Sequence, residues 1–154
     1  MVTPNGLICN LFGPIEERRH DAFMLTESGL LEQLQERMNK PNGDPYVLYG
    51  DPAYPIRNHM IAPFRAAQLS DDEKQFNKNT SAVRVCVEWG FGKLVQYFAF
   101  VDFSKNLKVL LQPVGKLYIV AALLINCHTC LYGSQTGEYF ELNAPQLEAY
   151  LSNN

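Results

Sequence analysis

Residues 46–55 read YVLYGDPAYP, and they restrict the fold more than any other stretch of the chain. Tyr46, Val47, Leu48 and Tyr49 favour extended backbone, and they are bounded by Pro45 and by Gly50 to Pro52. Such a run predicts a short, buried strand. It ends in a single acid, Asp51. In α/β folds the chemistry sits outside the carboxyl ends of the strands, so Asp51 is a candidate metal-binding carboxylate. An Asp before Pro is also an ordinary turn former, and the stretch alone leaves both roles open.

The flanking sequence builds elements around that strand. Thr3-Pro4-Asn5-Gly6 followed by Leu7–Phe12 predicts a turn entering a first strand, with only Met1–Pro4 before the turn to pair with it. Glu16–Leu25 is a polar loop running into a short helix, with His20-Asp21 at its head. Ser28 is a predicted N-cap for a helix whose apolar face is Leu30, Leu31, Leu34 and Met38, stopped by Pro41-Asn42-Gly43. Met60–Phe64 predicts a second extended piece. Ser70-Asp71-Asp72-Glu73 matches a capping box, and a helical pattern continues through Phe76, then Val83, Val87, Phe91, Leu94 and Phe98. Asn77–Thr80 is a possible break in it. Gly90 and Gly92 each cost a helix about 1 kcal/mol relative to alanine, so each calls for a packing or functional reason. Val101–Leu111 has the mixed character of a linker. Val114–Leu131 predicts a long apolar helix buried on most sides, and Asn143–Gln146 caps a last short one.

With 154 residues, 47% hydrophobic and 19% charged, the expectation is one folded domain over residues 1–154. A net charge of −3 gives no overall basic field for nucleic acid. The charge is uneven, however. Residues 26–51 hold Glu27, Glu32, Glu36, Asp44 and Asp51 against Arg37 and Lys40. Residues 80–132 hold Arg84, Lys93, Lys105, Lys108 and Lys116 against Glu88 and Asp102. Cys9, Cys86, Cys127 and Cys130 form no regular framework and no secretory signal opens the chain, which predicts reduced intracellular thiols. The most apolar stretch, Leu117–Cys127, is too short and too polar at its ends to predict a membrane span.

Three constellations are candidates for chemistry. Asp51 with Glu88 is the first: two carboxylates at a strand end suit hard cations such as Mg²⁺ or Mn²⁺. A pair of such ions about 4 Å apart serves phosphoryl transfer. The competing reading makes Glu88 a surface partner of Arg84, one turn back. Cys127-His128-Thr129-Cys130 is half a zinc site, or merely small residues in an apolar helix. His20-Asp21 offers either a further ligand or a helix cap. Trp89, Phe91, Tyr97 and Phe98 suit base stacking or core packing. No phosphate-cradling glycine loop and no nucleophile elbow occurs, which removes acyl-transfer and nucleotide-hydrolase readings.

Taken in order, GLICNLFGPIEERRHDAFML, YVLYGDPAYP and VRVCVEWGFGKL resemble the C-terminal part of the Harbinger transposase-derived nucleases, of the DDE superfamily of endonucleases. The matching positions are Gly13 with His20-Asp21, Gly50-Asp51 with Tyr54, and Arg84 with Glu88, Phe91 and Gly92. The helix with Leu123, Leu124, Asn126 and His128 is similar to the family's closing helix, and the resemblance covers about residues 5–132. It implies an α/β, ribonuclease H-like fold with a helix-rich C-terminal half, and a Mg²⁺- or Mn²⁺-dependent site that cuts DNA. Asp51 would be the second acid of the triad, Glu88 the third, and Asp21 a further metal ligand. Lys93 and Arg84 would contact the DNA backbone. A separate DNA-binding partner protein, a nuclear or otherwise intracellular location and no membrane also follow from it. The family's first catalytic Asp precedes the Asn5-Gly6 turn. The resemblance therefore implies a truncated fold lacking one or two strands and one acid, and a chain not competent as a nuclease alone. The other expectation is a non-catalytic, transposase-derived module that binds DNA or protein.

Overall fold

The computed structural model describes residues 1–13, 21–54, 56–102 and 113–152. Their elements run α1 (Asp21–Glu27), α2 (Leu30–Arg37), β1 (Leu48–Tyr49), β2 (Met60–Ile61) and α3 (Asp71–Tyr97). A 3-10 turn (Ala99–Val101), α4 (Val114–Tyr132), α5 (Gln135–Phe140) and α6 (Leu147–Ser152) complete them. The result is helix-rich with one small parallel sheet, a composition compatible with the expected α/β class. Two compact units divide the chain, Ile15–Arg84 and Met1–Pro14 with Val85–Asn154, the division falling within α3. His20, Pro55 and most of the expected 101–111 linker lie outside the described residues.

In the unit Ile15–Arg84, the short strand expected from Tyr46 onward is reduced to β1, Leu48–Tyr49, with β2 as its parallel partner. Leu48 pairs with Met60 and Tyr49 with Ile61, and Leu48 and Gly50 donate their N–H groups to the carbonyls of His59 and Ile61. Buried His59 adds an Nδ1 contact of 3.0 Å to the Tyr46 carbonyl. The strand is not buried as expected: Tyr46 and Val47 are each 48% exposed, because β2 covers an edge and not a face. The predicted helix after Ser28 starts one residue later, behind Gly29. The Ser28 hydroxyl donates to the Leu25 carbonyl in the last turn of α1 and accepts the Leu30 N–H that opens α2. Pro41-Asn42-Gly43 is the turn beyond α2, as expected.

The capping box at the head of α3 forms reciprocally. Ser70 N–H donates to a Glu73 carboxylate oxygen at 2.7 Å, and Glu73 N–H donates to the Ser70 hydroxyl at 3.2 Å. The Ser70 N–H, followed by the Ser70 hydroxyl, holds the Glu73 carboxyl below its ordinary range. Asn77–Thr80 does not break the helix, because its polar side chains find other partners. The Asn77 amide exchanges two hydrogen bonds with the backbone of Phe64, and Thr80 donates back to the Phe76 carbonyl. Phe64 also packs edge-on against Phe76, with ring centroids 5.2 Å apart. Ser70→Ala is expected to lower stability by about 1 kcal/mol, read as a lower urea midpoint at unchanged slope.

The second unit has its core at Ile8, Leu94, Val101, Ala121, Ala122 and Ile125, with Val2, Leu11, Phe98, Leu117 and Tyr118 packed on it. The first strand expected at residues 7–12 is reduced to a single antiparallel bridge, Val2 to Ile8. It does have a partner: Met1–Val2 folds back across the Thr3–Leu7 turn, and Cys9 N–H donates to the Met1 carbonyl. Gly90 has a packing reason, since a Cβ there would lie 3.4 Å from Val2 Cγ2.

The α4 expectation needs correction. Ala121, Ala122, Ile125, Asn126 and Thr129 are buried, yet Ile119, Val120, Leu123, Leu124 and Leu131 are exposed. The unit supplies partners, among them α6 and the 3-10 turn, to one face of a helix that is apolar all round. Gly115–Tyr132 is thus long and apolar enough to cross a membrane by length and composition, unlike the shorter stretch read from sequence. Its inner face carries hydrogen-bonded Asn126 and Thr129, as a core helix does, and one such helix does not indicate a membrane protein. Gly133, at φ +76°, ends α4 in the left-handed region that favours glycine. Ser134 then accepts the Gly137 N–H to open α5, an element with no apolar periodicity to announce it.

Candidate active site

Asp51 lies just past the C-terminal end of β1, and its turn and its carboxylate are built together. Its Oδ1 accepts the Ala53 N–H at 3.0 Å, and its backbone carbonyl accepts the Tyr54 N–H at 3.0 Å. That Asx turn orients the carboxylate, so the turn-forming role open in the sequence is realised. Gly50 gives the turn its room: a Cβ there would lie 2.9 Å from Met60 Sδ and 3.1 Å from the Tyr54 ring.

The second carboxylate oxygen, Oδ2, accepts from Arg84 Nη1 at 2.8 Å. Thirty-three residues separate the two. Both side chains are about half-exposed, so the pair contributes only about 0.2–1 kcal/mol to stability. Among the described residues, Arg84 pairs with Asp51 and not with Glu88 one turn along α3. This is the contact that sequence reasoning missed. Helical spacing favours Arg84–Glu88, and nothing local in either motif announces the longer-range partner.

Glu88 and Lys93 belong to the other unit and line a cleft of about 760 Å³, with Trp89, Tyr97, His128 and Tyr132. Glu88 is exposed and, among the described residues, makes no ion pair. Lys93 donates to the Gly133 carbonyl at 3.1 Å and lies 3.4 Å from the Thr129 hydroxyl. An ammonium there faces the carbonyl end of α4, where the helix dipole favours a cation. Burial lowers the Lys93 ammonium below its ordinary value. Burial, followed by the Lys93 charge, likewise lowers His128. The His128 ring lies between Tyr97 and Tyr132, at 4.7 and 4.8 Å, and its Nδ1 has no partner among the described residues. Trp89 meets Tyr139 edge-on at 5.8 Å.

The remaining sequence candidates are placed as follows. Asp21 opens α1, and its side chain lies outside the described residues. Cys127 and Cys130 are half-buried free thiols one turn apart on α4, and burial raises Cys130 above its ordinary value. Among the described residues, no three His, Cys, Asp or Glu side chains gather into a group that would hold a metal ion. With both Asp51 oxygens engaged as well, the described donors do not fit a divalent cation as they stand. What the arrangement provides is an acid fixed at a strand end, with a cation seated on it.

Neither the curated proteins nor the solved structures contain a match to the chain. Among known families, residues 1–126 match the one described as DDE superfamily endonuclease, a span that includes Asp51, Arg84, Glu88 and Lys93. The chain therefore belongs to the DDE superfamily of endonucleases, a family that acts on DNA and generally uses divalent metals.

Proposed function

We propose that the chain is a transposase-derived nuclease domain of the Harbinger type and of ribonuclease H-like architecture, with Asp51 and Glu88 as two acids of its phosphodiester-cleaving site. The observation that carries this reading is the Asp51–Arg84 bond. Two positions of the family pattern, 33 residues apart, meet at the carboxyl end of β1. That is where α/β folds concentrate their chemistry. Asp21, at the head of α1, is the further acid on this reading. Mg²⁺ or Mn²⁺ would supply the activation of water, and further ligands would have to join Asp51 before an ion could be held there. The chain's own contribution is an oriented carboxylate at Asp51 and an exposed one at Glu88. Lys93 and Arg84 are cations suited to DNA phosphates once released from their present partners.

A second reading is favoured by the Asp51 carboxylate, both of whose oxygens already accept hydrogen bonds within the chain. On it the chain is a non-catalytic module that binds DNA or a partner protein. Nicking of supercoiled plasmid with Mn²⁺, beside duplex DNA binding by fluorescence anisotropy, separates the two. The nuclease reading expects Asp51→Asn and Glu88→Gln each to slow nicking on the order of a hundred-fold. No cleavage at all, with DNA binding unchanged in both variants, supports the binding module. A chain that neither binds nor cuts DNA rejects both.

A further inference from the structure

Two adjacent rows of α3 line the cleft beside α4, since residues four apart share a helix face. One row is Trp89, Lys93 and Tyr97: an aromatic ring, a cation and a second ring. Each step of four advances about 6 Å along the helix, a spacing comparable to one nucleotide of an extended strand. The other row is Glu88, Gly92 and Gln96. Gly92 is exposed, and a Cβ there would meet nothing within 4 Å, so packing does not account for it as it does for Gly90. Bare backbone between Glu88 and Gln96 instead leaves room for a flat ring against the helix. Across the cleft the His128 ring joins Tyr97 to Tyr132, and these tyrosines are 53% and 75% exposed. Rings so exposed and so close together offer stacking faces.

The charges decide which form of nucleic acid fits. Among the described lining residues Lys93 is the single cation, and Glu88 and Glu138 are acids. A duplex would bring rows of phosphates and keep its base faces hidden in the stack. An unpaired strand brings bare base faces to the rings, and base amino groups can donate to Glu88. It needs only one phosphate at Lys93, whose ammonium keeps a third donor beyond those turned to Gly133 and Thr129. We infer that this cleft holds a short stretch of unpaired DNA strand, with bases on Trp89, Tyr97 and Tyr132 and a phosphate on Lys93. The inference deepens the proposed function, resting on it for DNA as the partner, and it requires neither a metal ion nor cleavage.

Trp89 is the only tryptophan of the chain, so its emission reports on the cleft directly. Titrating the full chain at low salt with a short oligodeoxythymidylate should quench that emission to saturation. Tyr97→Ala and Tyr132→Ala are each expected to weaken binding by about five-fold or more. Lys93→Met should weaken it too, and should flatten the slope of log affinity against log salt by about 0.7. Lys93→Arg should keep the parent slope, whereas a merely structural Lys93 would lose affinity with no change of slope. Urea midpoints near the parent's, expected for the two exposed tyrosines, confirm that folded chains are compared. Tyrosine variants that bind as the parent does overturn the inference, and so does quenching by oligouridylate but not by the DNA strand. Duplex binding without any quenching by the single strand overturns it and leaves the proposed function standing. Saturable quenching by a chain that neither nicks nor binds duplex DNA supports the cleft and rejects the nuclease reading.

Discussion

Replacing Asn126 by alanine is expected to destabilise the chain by about 4 kcal/mol, because two buried backbone groups of Ile8 lose their partners together. The Asn126 amide oxygen accepts the Ile8 N–H at 2.8 Å, and its nitrogen donates to the Ile8 carbonyl at 2.8 Å. The same nitrogen donates to the Tyr150 hydroxyl at 3.0 Å, so one side chain ties the N-terminal turn and α6 to α4. It is 3% exposed, so no water replaces what is lost. Asn126→Asp is a sharper test. It keeps the acceptor for the Ile8 N–H but turns an anionic oxygen toward the Ile8 carbonyl, and at neutral pH it should unfold almost as readily as the alanine variant. Urea midpoints report both. A loss below about 1 kcal/mol for Asn126→Ala would show that Ile8 is satisfied in some other way.

The second large effect is expected at Leu94. Its side chain is fully buried among Ile8, Val101, Ala121, Ala122 and Ile125. Leu94→Ala removes the packed atoms and leaves a cavity, and about 3 kcal/mol should be lost. Leu94→Met nearly conserves volume and should cost less than about 1.5 kcal/mol. The comparison matters for function because Lys93, a wall of the Glu88 cleft, is the neighbouring residue on α3. If calorimetric or urea unfolding gave the two variants equal losses, close packing at Leu94 would not be the source of the effect.

The sequence by itself determined what short-range bonding decides. Ser70 and Glu73 cap α3 because both reciprocal bonds close within three residues. Gly50 and Asp51 end β1 because a glycine and an Asx turn need only their immediate neighbours. The ordered motifs carrying Asp51, Arg84 and Glu88 likewise pointed to the family that residues 1–126 match. Tertiary structure decided the partners. Arg84 reaches Asp51 across 33 residues instead of Glu88 across four, and Asn126 clamps Ile8 across 118. Asn77–Thr80 stays helical because the Phe64 backbone is within reach of Asn77. One face of α4 stays exposed because its unit packs only the other, which a uniformly apolar sequence does not reveal. The physical reason is common to these cases. A residue's bonding capacity is written in its side chain, but which distant group meets it depends on how the rest of the chain has packed.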